Sequence, residues 1–223
     1  MKPLPWSFSA LDTFKNCPRQ YHAKYVLKSV KEAPSEQMLW GTKVHKHFED
    51  RLAVNEPLPV DLKHHEEHMQ KLANRPGVLF TEQKIGLDIN LKPCNFFFRD
   101  PWFRGVIDLR IVDTEDALLV DYKTGKPHQK FTQLSMFAIH TFAEFPAVKR
   151  VNAQFYWTKD GTTTKKIWGR ADIPTMWKAV VPDLRQYMEA FKTDTWQARQ
   201  SGLCKGWCPV HDCEFWSPKQ ERR

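Results

Sequence analysis

Residues 103–125 read FRGVIDLRIVDTEDALLVDYKTG, and this stretch decides the fold because it predicts two β-strands joined by a tight turn. Apolar and β-branched residues fill 105–112 and 117–122, as is typical of strands. Between them lies the polar cluster Asp-Thr-Glu-Asp at 113–116, a composition that ends strands and forms turns. We therefore predict a β-hairpin at the centre of the molecule.

The hairpin brings charged side chains together. Symmetry about Thr114 and Glu115 places Asp108 directly opposite Asp121, where Cβ atoms are roughly 4.5–5.5 Å apart and like charges repel. Lys123 follows Asp121 by two residues and so projects from the same face. A divalent cation between the carboxylates removes the repulsion, and the lysine can then orient water or stabilise charge on a phosphate. The alternative is a solvated hairpin with ordinary surface charges.

Further motifs accompany the hairpin in a fixed order. They are Ser7-Phe8-Ser9 with Cys17-Pro18-Arg19-Gln20-Tyr21, Gly41-Thr42-Lys43-Val44-His45, Gly105-Val106-Ile107-Asp108, Asp121-Tyr122-Lys123-Thr124-Gly125, and Gln133 with Phe137. Together they resemble the PD-(D/E)xK nucleases, in particular the RecB-type branch that includes exonucleases of CRISPR adaptation. The resemblance covers most of the chain. It implies an α/β fold, with a mixed central β-sheet flanked by helices in a restriction-endonuclease-like core.

The resemblance also implies a metal site. His45, Asp108 and Asp121 would bind one or two Mg2+ or Mn2+ ions, helped by the carbonyl of Tyr122. The helix predicted over 35–53 has an apolar stripe formed by Met38, Gly41, Val44, Phe48 and Leu52. His45 lies beside this stripe, where a histidine is usually structural, but the family pattern places a metal-binding histidine there. Glu82, on a strand predicted over 78–90, either joins the acidic site or faces outward among alternating residues.

The catalytic set implied by the resemblance is Asp108, Asp121, Lys123 and Gln133. Lys123 would position or activate water, and Gln133 would order the substrate. Phe137 stands where the family motif Gln-x-x-x-Tyr has its tyrosine, so the role of that hydroxyl is absent or supplied elsewhere.

Composition limits the class of protein. The chain has 223 residues, 41% of them hydrophobic and 27% charged, which suits one sizeable globular domain. A net charge of +8 favours polyanionic partners such as DNA. No apolar run approaches the roughly 18 residues that span a bilayer. The first ten residues lack the apolar core of a secretion signal, so we expect a cytoplasmic protein without membrane partners.

We predict a single nuclease domain over 1–223 with three parts. These are an N-terminal helical segment over 1–34, the nuclease core over 35–170, and a C-terminal helix with a Cys-rich tail over 171–223, packed near the N-terminal helix. Helices are predicted over 10–28 (with Pro18 as a break), 35–53, 131–144 and 174–191, and a solvated helix within 55–77. Strands are predicted around 95–98, over 148–157 and over 163–169, and residues 148–191 carry no predicted chemistry.

Four cysteines form a possible ligand set: Cys17, Cys204, Cys208 and Cys213. Such clustering in a cytosolic chain suggests metal more than disulfides. In a subset of the resembling family, one early and three late cysteines hold an iron–sulfur cluster, although the spacing of the late cysteines here departs from that pattern. The alternatives are zinc, with His211 in reserve, and reduced cysteines packed among aromatic side chains.

The function expected from the resemblance is exonucleolytic, Mg2+- or Mn2+-dependent hydrolysis of DNA in recombination or repair. No G-x-x-x-x-G-K-[ST] motif occurs, so a free-standing phage or mobile-element enzyme, acting with a recombination or replication protein, is the expected context. Two alternatives stay open. The chain could be a non-catalytic DNA-binding or assembly module that retains the fold, or a structure-specific endonuclease.

Overall fold

A mixed β-sheet forms the centre of the protein. The computed structural model describes residues 3–97 and 101–218. Its strands are β1 (Val78–Leu87), β2 (Pro93–Cys94), β3 (Phe103–Asp113), β4 (Asp116–Lys123), β5 (Arg150–Trp157) and β6 (Thr162–Gly169). Their order is β2-β1-β3-β4-β5-β6; β4 and β5 are parallel and the other neighbours are antiparallel. This mixed sheet, flanked by helices, confirms the predicted α/β fold.

The central hairpin has the predicted register. Asp113 pairs with Asp116 at the turn, and the pairing continues as far as Leu109 with Val120. Each strand of the hairpin has a second neighbour, β1 beside β3 and β5 beside β4. The hairpin is therefore the middle of the sheet, and most of its side chains are buried.

Polar caps and prolines mark the start of several helices. They are α1 (Phe8–Asn16), α2 (Pro18–Tyr21), α3 (Glu36–Ala53), α4 (Glu66–Ala73), α5 (Thr132–Glu144), α6 (Ile173–Lys178) and α7 (Val181–Thr193). The hydroxyls of Ser7 and Ser35 accept from backbone N–H groups in the first turns of α1 and α3. Pro18 lies at the start of α2, so the helix predicted over 10–28 is divided there. Among the described residues, no helix is long and apolar enough to cross a bilayer.

Residues 34–177 form one compact unit that contains the whole sheet. On one face of the sheet, α3 and α4 cover a core that includes Val44, Phe48, Leu109, Val120 and Tyr122. The other face carries α5, nine of whose thirteen residues are buried. The predicted stripe of α3 is correct at Val44 and Phe48 but wrong at Met38, which is 55% exposed.

The second compact unit contains residues 1–33 and 178–223. The buried hydroxyls of Tyr21 and Tyr187 lie 2.7 Å apart at its centre. The Arg19 guanidinium donates to Glu214 at 2.8 Å, so the C-terminal tail packs on the N-terminal helices as predicted. The single-domain organisation over 1–223 stays a prediction.

Two local expectations differ from the structure. The segment predicted as a solvated helix contains a 3-10 turn at Val60–His65 followed by α4, and its inner side is buried. His65 is 1% exposed, and its Nδ1 lies 2.8 Å from the Tyr156 hydroxyl, because the aromatic core requires a partner for that hydroxyl. The strand expected around 95–98 is wrong for residues 95–97, which form no strand; the two-residue β2 lies just before them, and residue 98 lies outside the described residues.

Gly105 gives a prediction about packing. A Cβ atom there would lie 2.7 Å from Cε1 of Phe137, so we expect Gly105→Ala to lower the free energy of unfolding by about 1–3 kcal/mol. Gly125→Ala is the control, since a Cβ there meets none of the described residues within 4 Å, and its effect should stay within about 1 kcal/mol. Urea unfolding measures both. The double variant Gly105→Ala with Phe137→Leu should lose less free energy of unfolding than the sum of the two single variants. If Gly105→Ala and Gly125→Ala lower the free energy of unfolding equally, this packing is contradicted.

Candidate functional site

Asp108 lies where the sheet is interrupted. β1 and β3 pair on both sides of Glu82, at Thr81 with Leu109 and at Gln83 with Ile107, but not at Glu82 itself. Glu82 has φ +44°, in the left-handed region that costs a non-glycine residue roughly 1–3 kcal/mol. Such strain persists only where the surroundings impose it, and it clusters at functional sites.

The interruption continues on the other side of Asp108. Pairing between β3 and β4 ends one residue before Asp108 and Asp121 would face each other. The Tyr122 backbone N–H instead donates to Asp108 Oδ2 at 2.8 Å. The Asp108 carboxylate thus accepts a hydrogen bond that a backbone carbonyl would accept in a regular hairpin. This hydrogen bond fixes the position of the carboxylate.

His45 completes a group of three possible metal ligands. Its Nδ1 lies 3.4 Å from Asp108 Oδ2 and 3.6 Å from Glu82 Oε1, and the ligand atoms of the three residues lie within 4.8 Å of one another. His45 Nε2 is 3.0 Å from the Tyr122 carbonyl oxygen. Because a carbonyl only accepts, Nε2 donates and Nδ1 faces the carboxylates, the arrangement usual for a metal-binding histidine.

Asp121 belongs to a neighbouring arrangement with Lys123 and Gln133. Asp121 Oδ1 accepts from Gln133 Nε2 at 2.7 Å, and Lys123 Nζ lies 2.5 Å from Asp121 Oδ2, in ion-pair rather than hydrogen-bond geometry. Lys123 Nζ also donates to Gln133 Oε1 at 3.1 Å. The predicted side of the strand is therefore correct for Lys123. Asp121 is 1% exposed, so its charge depends on these partners.

The pKa values of His45, Asp108 and Asp121 are all raised in the folded protein. Burial and the neighbouring charge of Asp121 raise the pKa of Asp108, and burial also raises the pKa of Asp121. Burial lowers the pKa of His45, but the carboxylates of Glu82, Asp108 and Asp121 outweigh it and raise the pKa to about 9. The imidazolium of His45 and the ammonium of Lys123 therefore compensate the buried negative charge.

This donor set fits a hard divalent cation. Carboxylate oxygens and one imidazole nitrogen are ligands that Mg2+ and Mn2+ accept. The three ligand side chains converge at a break in the sheet, and the buried Asp121 carboxylate adds negative charge nearby. His45 and Glu82 line a pocket of about 760 Å³ that also borders Gly41, Thr42 and Thr124, which gives room for a substrate.

The four cysteines lie in the second unit. All are free thiols of intermediate exposure. Burial raises the pKa of Cys208, and the charges of Cys17, Cys204 and Cys213 raise it further, so the four thiols are neighbours. Within residues 3–97 and 101–218, however, no three of them bring their sulfur atoms within 4.8 Å of one another. A single tetrahedral zinc needs sulfur atoms about 3.8 Å apart, so this spacing does not suit it.

Comparison with known proteins identifies the family. The family model of the PD-(D/E)XK nuclease superfamily matches residues 5–85 and 66–213. The chain belongs to this superfamily. The assignment of the family motif to Asp108, Asp121 and Lys123 of the central hairpin stays a prediction. A search of curated proteins gives no match.

One solved structure shares the fold. A protein from Eubacterium rectale, described provisionally as an exonuclease, has 10% identity and a TM-score of 0.57 over 96% of this chain and 90% of its own. The structure of SSO0001 has 11% identity and a TM-score of 0.46 over 96% of this chain and 88% of that one. At 10% identity, the similarity to the Eubacterium rectale protein shows a shared fold alone.

The structure brings the predicted residues of the nuclease site into one region of the sheet unit: His45, Glu82, Asp108, Asp121, Tyr122, Lys123 and Gln133. Their individual roles stay predictions. Sequence reasoning missed the hydrogen bond from the Tyr122 N–H to Asp108 and the left-handed backbone at Glu82. No sequence signal reveals either one, because glutamate and tyrosine are ordinary strand residues in this pattern.

The raised pKa values predict a coupling between pH, metal and stability. His45 titrates at about 9 in the folded protein, against 6.5 ordinarily, so the folded state keeps the proton longer. The contribution of His45 to the free energy of unfolding is therefore complete below pH 6.5 and is lost as the pH rises through 9. The raised pKa values of Asp108 and Asp121 likewise make the free energy of unfolding fall as the pH rises.

We expect the free energy of unfolding, measured in chelator, to fall between pH 6.5 and 9. Saturating Mg2+ or Mn2+ should reduce this fall, since a bound cation compensates the ionised carboxylates. Asp108→Asn should make the profile in chelator flatter and weaken the effect of metal. Identical profiles with metal and with chelator would contradict a metal site here.

Proposed function

We propose that this protein is a divalent-metal-dependent deoxyribonuclease of the RecB-type branch, acting as an exonuclease. One observation carries the proposal. Asp108 and Asp121 are buried carboxylates on adjacent strands. The Nδ1 atom of His45 faces Asp108 as in a metal-binding histidine, and Lys123 is paired with Asp121. A fold without use for these charges would replace them with apolar residues, because burying them is costly.

The chain's own groups supply the parts that phosphodiester hydrolysis needs. A bound Mg2+ or Mn2+ would neutralise phosphate charge and lower the pKa of a bound water. His45, Glu82 and Asp108 would hold that cation, joined by Asp121. The Tyr122 carbonyl orients the His45 ring in the geometry observed, and its predicted role as a ligand stays a proposal.

Lys123 and Gln133 would act on the water and the substrate. In the structure the Lys123 ammonium is held by Asp121 at 2.5 Å and by the Gln133 amide oxygen at 3.1 Å. Once its pairing with Asp121 is loosened, this ammonium would contact a phosphate oxygen or the attacking water. Gln133 would then hold the side chains of Lys123 and Asp121 in position, since it forms hydrogen bonds with both.

The substitution of phenylalanine for the family tyrosine has a structural consequence. Phe137 is 2% exposed, and its ring packs over Gly105 at the start of the Gly-Val-Ile-Asp motif. In this arrangement the ring supports β3 from beneath. Substrate contacts of this helix then fall to Gln133, four residues earlier on the same face.

The wider context remains part of the proposal. Recombination or repair of phage or mobile-element DNA, with a recombination or replication protein as partner, fits a basic chain of net charge +8. We place this activity in the cytoplasm, where such DNA is found.

Cleavage of labelled DNA tests the proposal. We expect the purified protein to degrade linear DNA with Mg2+ or Mn2+ and not in chelator, and Asp121→Ala to lose at least about 100-fold in rate. Asp116→Ala is the matched control on the same strand, since this aspartate forms only an exposed pair with Arg150 and should change the rate by less than about twofold.

The same assay separates the alternatives. Equal persistence of DNA with wild type and Asp121→Ala would overturn the nuclease proposal and favour a binding or assembly module. Cleavage of closed circular or branched DNA at a rate similar to linear DNA would favour a structure-specific endonuclease over an exonuclease.

For the tail, we propose that Cys17, Cys204, Cys208 and Cys213 hold an iron–sulfur cluster. Four neighbouring thiols suit such a cluster, because thiolates are the usual cluster ligands. The cluster would join the tail to the N-terminal helices of this unit. It would reinforce the contact between Arg19 and Glu214.

Anaerobic purification tests the cluster directly. We expect a brown protein with broad visible absorbance and bound iron, and Cys208→Ser should lose both. Cys94→Ser is the control, because Cys94 lies in β2 and outside the four-thiol group. A colourless, iron-free wild-type protein would exclude the cluster.

A further inference from the structure

The face of the sheet that carries the catalytic lysine extends to β6. In the parallel pairing of β4 with β5, Asp121 lies beside Phe155 and Lys123 beside Trp157. Phe155 in turn pairs with Thr164 of β6. Because side chains alternate along a strand, Lys166 shares the face of Thr164.

Aromatic rings connect Lys123 to Lys166 along this face. Lys123 Nζ lies 5.6 Å from the centre of the Phe155 ring, on which Phe131 stacks at 5.7 Å. The exposed His128 ring lies 5.2 Å from Phe155, and Lys166 Nζ lies 6.0 Å from the Phe131 ring. We call Lys123, His128, Phe131 and Lys166 the basic strip.

Lys166 contributes uncompensated positive charge to the strip. Many lysines of the protein have a carboxylate partner, such as Lys149 with Glu115 and Lys43 with Asp61. Within the part of the chain that the structure describes, Lys166 has no ion pair and only ring contacts, with Phe131 and Trp168. Exposed cations next to rings that can stack on bases are the usual means of binding a single strand.

A simpler role exists for this lysine. β6 is an edge strand of the sheet, and lysines on edge strands prevent edge-to-edge association. That role would apply equally to Lys165, which is also exposed but projects from the opposite face, beside Gln154. The two neighbours therefore distinguish a binding role from edge protection.

We propose that the basic strip binds a single strand of DNA about three nucleotides from the bond that is cut, with a phosphate on Lys166 and a base on the His128 ring. Lys166 pairs with Ala153, which lies beside Leu119, four residues before Lys123 on β4. Lys166 is therefore displaced from Lys123 by two strand spacings across the sheet, roughly 10 Å, and by roughly 13 Å along the strands. The resulting distance of roughly 16 Å is spanned by about three nucleotides of an extended single strand. This inference rests on the proposed nuclease function, because it takes Lys123 as the position of the reacting phosphate.

Binding measured in chelator tests the strip without cleavage. Fluorescence anisotropy of a labelled single-stranded oligonucleotide should show that Lys166→Ala weakens binding about threefold to tenfold. The slope of log affinity against log salt should decrease by about 0.7, the value for one phosphate contact to a single strand. Lys165→Ala is the matched control and should leave both the affinity and the slope unchanged.

His128→Ala should weaken binding to single strands more than to duplex, since a duplex keeps its bases stacked. Equal losses for Lys165→Ala and Lys166→Ala would overturn the proposal in favour of unspecific edge charge. A Lys166→Ala effect confined to duplex DNA would also overturn it. Thermal unfolding of each variant checks that the fold is intact.

Cleavage of modified substrates locates the contact and separates the two proposals. Apart from the linkage that is itself cut, one neutral methylphosphonate linkage moved along the strand should slow wild type most at about the third nucleotide from the cut and should not slow Lys166→Ala further there. No dependence on position would overturn the strip. If wild type does not cleave but Lys166 still matters for binding, the nuclease function fails while the strip stands.

Discussion

The structure depends on the compensation of negative charge at one break in the β-sheet. Glu82, Asp108 and Asp121 lie on three neighbouring strands, and two of these carboxylates are almost completely buried. Their partners inside the protein are the imidazolium of His45 and the ammonium of Lys123. Because both aspartates are buried and two cations face three acids, the raised pKa values of these aspartates are the expected response, and a divalent ion is the expected completion.

The surrounding elements each hold one part of this arrangement. α3 brings His45 to the carboxylates, and the Tyr122 carbonyl orients its ring. The Tyr122 N–H fixes Asp108, at the cost of the last hairpin pairing. On the other face, α5 presents Gln133 to Asp121, while the Phe137 ring packs where Gly105 leaves room. The strands and helices around the site thus each position one of its side chains.

The sequence predicted what depends on periodicity and local signals. The hairpin register, the shared face of Asp121 and Lys123, and the start of α3 after Ser35 all follow from such patterns, and the structure agrees. Long-range packing could not be predicted. Met38 fits a buried stripe yet is exposed, because helical spacing does not reveal where the neighbouring surface ends. Residues 148–191 showed no chemistry as a sequence, since the contact of Lys166 with the Phe131 ring joins residues that are distant in the chain.

The central claim is that a divalent cation binds between the carboxylates of β1, β3 and β4. Crystals soaked in manganese and measured at a wavelength with anomalous signal test it most directly. The account predicts an anomalous peak in coordination contact with Asp108 and Asp121 and with the Nδ1 atom of His45, and Lys123 displaced from Asp121. A crystal soaked to saturation with no peak there, and with Lys123 still paired to Asp121, would contradict it.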